Sequence, residues 1–312
     1  MDLFESRNIK PMLIAENVEP FNSQDHIFEL KLDGCRCVAY IDSDSVDLRN
    51  KRNVKLLSQF PELKQLNKQV KKRCILDGEL IVLKDGKPNF FELQKRLLTT
   101  NKTKIEFMYK KLQANFVVYD ILYVDKEQIN LLPLIERKQI LSDTIIENDR
   151  IAISRYIEYN GIELYNFTEQ QQLEGVVAKL KNSKYYFGKR THDWVKIKWL
   201  KDDDFVVCGY IYKPNNMTSV ILGQCRNGNL VYKGHVTLGV KRSELKKMTT
   251  PSDKSPFNID WDDNDNTIWV EPNTVCTVQW MPRQNKGMNQ SVFKGFRDDK
   301  SPNECIEKDD RE

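Results

Sequence analysis

Histidine is scarce in this 312-residue sequence, where only His26, His192 and His235 occur, far apart along the chain. A Ser-His-Asp or Cys-His catalytic engine is therefore a poor fit, although separation in sequence does not by itself forbid one. The seven cysteines include no C-x-x-C pair, which removes the usual signature of a structural zinc site. Their odd number argues against a disulfide framework. No stretch approaches 18 consecutive apolar residues, so no membrane-spanning helix is expected. The start, Met1 to Glu5, lacks the basic and apolar regions of a signal peptide. A large charge of one sign is also missing: 49 Lys+Arg against 45 Asp+Glu leaves +4. That is too little for a tail-driven nucleic-acid binder, so any such affinity must come from local patches.

What is present suffices for a folded, two-domain chain, with 40% hydrophobic and 30% charged residues. Residues 1–201 mix both periodicities. Phe28, Leu30 and Leu32 alternate with Glu29, Lys31 and Asp33, as in a half-buried strand, and Cys37–Ile41 reads as its return partner. Cys74–Leu83, Phe116–Val124, Leu173–Leu180 and Trp194–Trp199 read as further strands. Pro61–Lys71, Phe90–Leu98 and Pro133–Ile146 carry helical spacings. The fold class is α+β. Over residues 202–312 the texture changes to short strands: Phe205–Tyr212, Thr218–Cys225, Leu230–Val236, Thr274–Met281 and Ser291–Phe296. Five such strands fit a small barrel of the OB type, with Pro251–Asn266 as a long loop and Asp202–Asp204 marking the junction. The net charge divides as +5 for residues 1–200 and −1 for the remainder.

The strongest chemical feature is Lys31-Leu32-Asp33-Gly34-Cys35-Arg36, at the end of a strand. Partial desolvation and a nearby cation such as Arg36 both lower an amine pKa, which a lysine nucleophile requires. The plainer reading is a hairpin whose Asp-Gly turn leaves the lysine exposed. Five further motifs follow in order: Asp77-Gly78-Glu79, Tyr119-Asp120, Glu174-Gly175-Val176-Val177-Ala178-Lys179, Trp194-Val195-Lys196-Ile197-Lys198 and Arg297-Asp298-Asp299-Lys300. The ordered set resembles the covalent nucleotidyltransferase superfamily, most closely the ATP-dependent DNA ligases and the ligase domain of bacterial end-joining proteins. That resemblance covers nearly the whole chain. It implies an adenylation domain of mixed antiparallel sheets and helices over 1–201, followed by an OB-fold domain over 202–312.

The chemistry it implies is nucleotidyl transfer. Lys31 attacks the α-phosphate of ATP, expels pyrophosphate and carries AMP on its amine. AMP then passes to a 5′-phosphate at a nick, and the neighbouring 3′-hydroxyl displaces it to seal the strand. Glu29 would accept from the adenine amino group and Tyr119, where many relatives have Phe, would stack on the base; a core aromatic is the plainer reading of Tyr119. Arg36 and Arg49 would contact phosphate and ribose, with Arg52 competing for the place of Arg49. Lys196 and Lys198, two apart on a strand, would neutralise the α-phosphate, whereas Lys179 has the opposite parity from Glu174 and is left outside the site. Glu79 and Glu174, each beside a glycine in an apolar strand, would suit Mg²⁺ or Mn²⁺, or else form salt bridges to Arg36 or Lys198. Arg297, Asp299 and Lys300 would orient the departing pyrophosphate in a closed arrangement that later opens to admit DNA. Asp202–Asp204 would then lie near the hinge, and Ser301–Glu312 would be an exposed charged tail.

The expected partner is nicked or broken duplex DNA, with a Ku-type bridging protein as a family-level expectation, for a cytoplasmic monomer. Two other readings remain open at this level. One is an RNA ligase or mRNA-capping guanylyltransferase, which shares K-x-D-G; the other is a non-catalytic OB-type nucleic-acid-binding protein.

Overall fold

The computed structural model describes residues 2–199, 201–214, 217–257, 266–281 and 288–307. The chain forms two compact units, residues 1–198 and 199–312.

The first unit is built on two antiparallel sheets. Its strands are β1 (Ser23–Leu30), β2 (Cys35–Ile41), β3 (Val46–Asn50), β4 (Cys74–Lys84), β5 (Ala114–Val124), β6 (Ile151–Ile153), β7 (Tyr156–Tyr159), β8 (Gly175–Leu180) and β9 (Trp194–Lys198). The larger sheet runs β3-β2-β4-β5, with β6 parallel to β5; the smaller runs β7-β1-β8-β9. Its longer helices are α1 (Phe90–Leu98), α2 (Lys102–Lys111), α3 (Leu134–Thr144) and α4 (Gly161–Gln170).

Alternation along the strands separates three apolar layers. Cys37, Ala39 and Ile41 of β2 face outward into a core closed by Leu63, Leu66, Leu93 and Leu141. Val38 and Tyr40 face inward and join Ile27 and Trp194 of the smaller sheet, so this layer lies between the two sheets. Phe28, Val176, Ala178, Val195 and Ile197 form the third layer, against Leu164 and Tyr165 of α4.

Two sequence expectations need correction here. The strand ending at Leu30 does not return through Cys37–Ile41: β1 pairs with β7 and β8, while β2 pairs with β3 and β4. Gly34 explains the crossing, because a Cβ there would lie 2.4 Å from the Leu80 carbonyl oxygen. The glycine serves a close approach between strands of the other sheet, not a hairpin turn. Pro61–Lys71 is not one helix but two short 3₁₀ turns, Pro61–Leu63 and Leu66–Gln69. Phe60, Leu63 and Leu66 are all buried, and their three-residue spacing suits a 3₁₀ repeat. Helices α2 and α4 are additional to the expected ones; α2 buries only Ile105.

The second unit is an OB-fold barrel of β10 (Lys201–Lys213), β11 (Met217–Arg226), β12 (Asn229–Val236), β13 (Val275–Met281) and β14 (Asn289–Arg297). They pair in the order β12-β11-β10-β13-β14, and the Phe293 amide donates to the Leu238 carbonyl at 2.8 Å on the closing side. A short strand, Thr267–Trp269, pairs with β10, and a helix, α5 (Arg242–Met248), buries Leu245 in the barrel core. Asp202–Asp204 lie inside β10, just past the start of the second unit, and pair with Thr277–Gln279 of β13. Asp204 is buried because its carboxylate accepts from Thr277 at 2.6 Å and Lys300 at 2.8 Å. Ser301–Glu307 is likewise no loose tail: the Cys225 amide donates to the Cys305 carbonyl at 2.7 Å and Glu307 pairs with Arg226 and Lys233. Residues 308–312, and residues 258–265 of the expected Pro251–Asn266 loop, fall outside the described set.

One buried ion pair joins α3 to the larger sheet. Arg137 donates to both oxygens of Asp120 at 2.8 Å and to the Ser183 carbonyl at 2.9 Å, and both partners are fully buried. Arg137→Met leaves Asp120 without its cation in a dry interior, which is expected to lower unfolding free energy by about 3–5 kcal/mol in urea denaturation. A loss below about 1 kcal/mol, the range of an exposed pair, would contradict this account.

Candidate active site

Between the sheets lies a cavity of about 180 Å³. Ile14, Leu30, Leu32, Tyr119, Val177 and Trp194 supply its apolar wall, and Glu29, Lys31, Arg36, Glu79, Ser154 and Lys179 supply its polar groups. An apolar slot with a few convergent polar groups is the usual form of a small-molecule site.

Lys31 stands just beyond β1, where its amide donates to the Gly175 carbonyl at 2.8 Å. Because the strand has ended, strict alternation fails: Leu30 and Leu32 line the cavity together with Glu29 and Lys31. The Lys31 ammonium meets Glu174 Oε1 at 2.7 Å, and Lys198 meets the same oxygen at 3.0 Å. Gly175 makes this meeting possible. Its φ of +136° suits glycine, and a Cβ there would come within 2.1 Å of the Ile197 carbonyl oxygen. The kink it introduces breaks the parity between Glu174 and β8. Lys196, opposite Val177 on β9, shares the inward face. Burial lowers its pKa, and repulsion from Lys198 and Lys31 adds to that.

The larger sheet contributes the opposite wall. Arg36 of β2 donates to Asp77 through Nε at 3.0 Å and Nη2 at 2.6 Å, and Tyr185 donates to the same carboxylate at 2.7 Å. Burial disfavours the Arg36 charge, but Asp77 outweighs it and holds the guanidinium well above its ordinary pKa. Tyr119 is placed by a bulge: Asp77 pairs with Asp120 and Gly78 with Val118, so Tyr119 has no register partner and its ring is re-aimed. The Arg36 guanidinium lies 5.6 Å and the Lys179 ammonium 4.5 Å from that ring's centre. Glu79 enters the cavity with no hydrogen bond or ion pair among the described residues. Burial raises its carboxyl to about 8; Lys31 and Arg36 pull the other way, and the Asp77 and Glu174 charges push it further up.

Glu29 is the most heavily partnered group. Lys138 of α3 meets Oε1 at 2.5 Å, Lys179 meets Oε2 at 3.0 Å, and the Ser154 hydroxyl donates to Oε2 at 2.8 Å. Burial favours the acid form, yet the two lysines prevail and its pKa falls below the usual carboxylate value. Lys179 is lowered to about 8, chiefly by burial, with Glu29 opposing and Lys138 adding repulsion.

Of the residues picked out by sequence, Glu29, Lys31, Arg36, Tyr119, Glu79, Glu174, Lys196 and Lys198 converge here. Arg49 does not line the cavity; it is tied to Asp47 at 3.0 Å and to Asn53 at 3.2 Å. Glu174 takes the salt bridge to Lys198 that was its alternative reading, whereas Arg36 turns to Asp77 instead. Lys179 joins the cavity against expectation, since the parity argument ignored the Gly175 kink. Tyr185 carried a signal, the Tyr185–Arg190 cluster of aromatics and cations; Lys138 and Ser154 carried none. In the second unit, Arg297 donates to Asp299 at 2.6 and 2.7 Å and lies 3.5 Å from Asp204, beside Lys300. The Arg297 hydrogen bond lowers the Asp299 carboxyl to about 2.

Comparison with known proteins agrees with this arrangement. The model for "ATP dependent DNA ligase domain" matches residues 9–198, and that for "ATP dependent DNA ligase C terminal region" matches residues 213–300. The SPbeta prophage-derived DNA ligase-like protein LigB of Bacillus subtilis is 33% identical over 208 residues, covering 66% of this chain and 73% of that protein. The multifunctional non-homologous end joining DNA repair protein LigD of Mycobacterium tuberculosis is 27% identical over 97% of this chain, which spans only 40% of that protein's length. A solved mycobacterial DNA ligase D complexed with ATP and MES superposes with a TM-score of 0.57 at 25% identity, covering 97% of this chain and 99% of that one. The matched domains span the cavity and the barrel alike, and the chain belongs to the ATP-dependent DNA ligase family.

Proposed function

We propose that the chain seals breaks in duplex DNA through an adenylate carried on Lys31. The observation that carries this reading is the position of the Lys31 amine at a nucleobase-sized cavity, 2.7 Å from the Glu174 carboxylate. ATP enters with its base against Tyr119 and its amino edge toward Glu29 and Lys179. The Lys31 nitrogen attacks the α-phosphorus, the bond to the β-phosphate oxygen breaks, and pyrophosphate leaves. Glu174 accepts the ammonium proton, or orients the amine that loses it; Lys196 and Lys198 neutralise the α-phosphate oxygens. Arg36, fixed by Asp77 and Tyr185, holds the ribose or phosphate. Arg297, Asp299 and Lys300 are assigned to the pyrophosphate. A 5′-phosphate oxygen of DNA then takes AMP from Lys31, and a 3′-hydroxyl displaces AMP to make the phosphodiester.

Magnesium fits this site in a limited way. The described residues hold no group of three or more His, Cys, Asp or Glu side chains suited to a metal. Glu79, however, is an unpaired carboxylate near Glu174, and two carboxylates completed by water and phosphate suit a hard cation that retains waters. Glu79 and Glu174 would hold it, and when bound it would supply charge neutralisation at the phosphates. Repair of broken ends, a Ku-type bridging partner, a monomeric state and a cytoplasmic location complete the proposal. No helix among the described residues is long and apolar enough to cross a membrane.

Incubation with α-labelled ATP should attach label to the chain, and Lys31→Ala should abolish both labelling and nick sealing while leaving DNA binding near that of the parent. Labelling by GTP alone, or sealing that survives Lys31→Ala, would overturn the mechanism. Glu79 provides a second check. Its folded pKa, about 8, lies above the ordinary carboxyl value of 4.5, so the native state binds more protons between those limits and stability falls as pH rises across them. Glu79→Gln removes that dependence: its melting temperature should match the parent below the window and exceed it above. Magnesium chloride without nucleotide should raise the melting temperature of the parent more than that of the variant. Parallel melting curves across the whole pH range would show that Glu79 is not held as described.

A further inference from the structure

The net charge of +4 is not evenly distributed. Residues 95–111 alone hold six basic side chains and one acidic, +5, so the rest of the chain sums to −1. This segment runs from the middle of α1 to the end of α2, and it is firmly held. The buried Arg96 donates to the Leu112 carbonyl at 2.9 Å and the Gln59 carbonyl at 2.7 Å, and it pairs with Glu62. The Asn101 side chain caps α2 by accepting from the Lys104 amide at 3.0 Å.

Arg96 is thus used internally, and Lys95 pairs with Glu92 at 3.0 Å. Lys102, Lys104, Lys110 and Lys111 are all exposed, and none has an ion-pair partner among the described residues. A face kept merely soluble normally interleaves acids with its lysines, as Lys241 and Glu244 do at 2.9 Å. Over residues 95–111 Glu106 is the sole acid. At helical spacing Lys104, Phe107 and Lys111 form one stripe, away from the buried Ile105. Phe107 is 60% exposed, with the Lys111 ammonium 4.5 Å over its ring, and Leu98 at the end of α1 is 76% exposed. No residue of this segment lines the nucleotide cavity.

We propose that the α1–α2 segment is a docking surface for the phosphate backbone of the DNA substrate, separate from the nucleotide cavity. Lys104, Lys110 and Lys111 contact phosphates, and Phe107 packs against the sugar edge between them. Lys104 and Lys111 are about 10 Å apart along the helix axis, close to three steps of duplex at ~3.4 Å each. The proposal rests on the DNA ligase reading above and adds to it a surface that reads charge, not sequence.

The test uses the full chain and a fluorescently labelled nicked duplex, with affinity measured by anisotropy over a series of KCl concentrations. The triple variant K104Q/K110Q/K111Q should bind more weakly at low salt. Its slope of log K against log salt should be shallower by about 2–3, near 0.9 per phosphate contact removed. Labelling by ATP in the absence of DNA should be unchanged, which separates this surface from the nucleotide site. K104R/K110R/K111R should keep the parent slope. A triple-Gln variant that adenylates normally and retains the parent slope overturns the proposal, and the face would then suit an acidic protein instead. Failure of the parent chain itself to take label from ATP would overturn the ligase reading on which the proposal rests.

Discussion

A carboxylate carried into the space between two packed sheets must find a cation there, because water is no longer available to solvate it. The first unit places five such groups on the facing walls or beside them: Glu29, Asp77, Glu79, Asp120 and Glu174. Four are matched. Asp120 takes Arg137, Asp77 takes Arg36, Glu29 takes Lys138 and Lys179, and Glu174 takes Lys31 and Lys198. These pairs connect strands of both sheets with α3. The walls cannot shift relative to one another without exposing or stranding a charge.

That constraint also shapes the chemistry. Lys31 and Lys198 share one carboxylate oxygen, so the amine that serves as nucleophile in the proposed reaction is held in place by Glu174. Arg36 is locked from behind by Asp77 and Tyr185, and its guanidinium fork is set before any ligand arrives. Glu79 is the exception to the matching rule. A carboxylate left without a partner in such a setting is costly, and in the proposed reaction a hard cation held by Glu79 and Glu174 would offset that cost. The barrel repeats the rule on a smaller scale, where Asp204 is buried against Lys300 and Thr277 with Arg297 nearby. The acidic run at the start of β10 thereby orders the segment that carries Arg297 to Lys300.

Much of this was legible in the order of residues. Strand and helix periods located β4, β5, β9, α1, α3 and the five barrel strands to within a few positions, since each buries one face and alternation or helical spacing records that directly. The motif series placed Glu29, Lys31, Arg36, Tyr119, Glu79, Glu174, Lys196 and Lys198 in one site. The failures share a cause. Lys179 was misplaced because a period-two argument assumes an unbroken strand, and Gly175 breaks it. Tyr119 reaches the cavity through a bulge that no local pattern announces. The hairpin expected at Asp33-Gly34 is a crossing between sheets, because an Asp-Gly pair serves a tight approach as readily as a turn.

The sequence by itself determined which chemical groups the site contains and the family to which the chain belongs, because motif identity and order are properties of the chain. Only the tertiary structure decided how those groups are partnered: that Glu29 is held by Lys138 and Lys179, that Arg36 answers to Asp77, that Arg49 stands away from the cavity, and that Glu79 alone lacks a cation. Pairing in a dry interior depends on distances between side chains brought together from strands up to 150 residues apart, as in the Lys179 bond to Glu29. No local pattern encodes those distances.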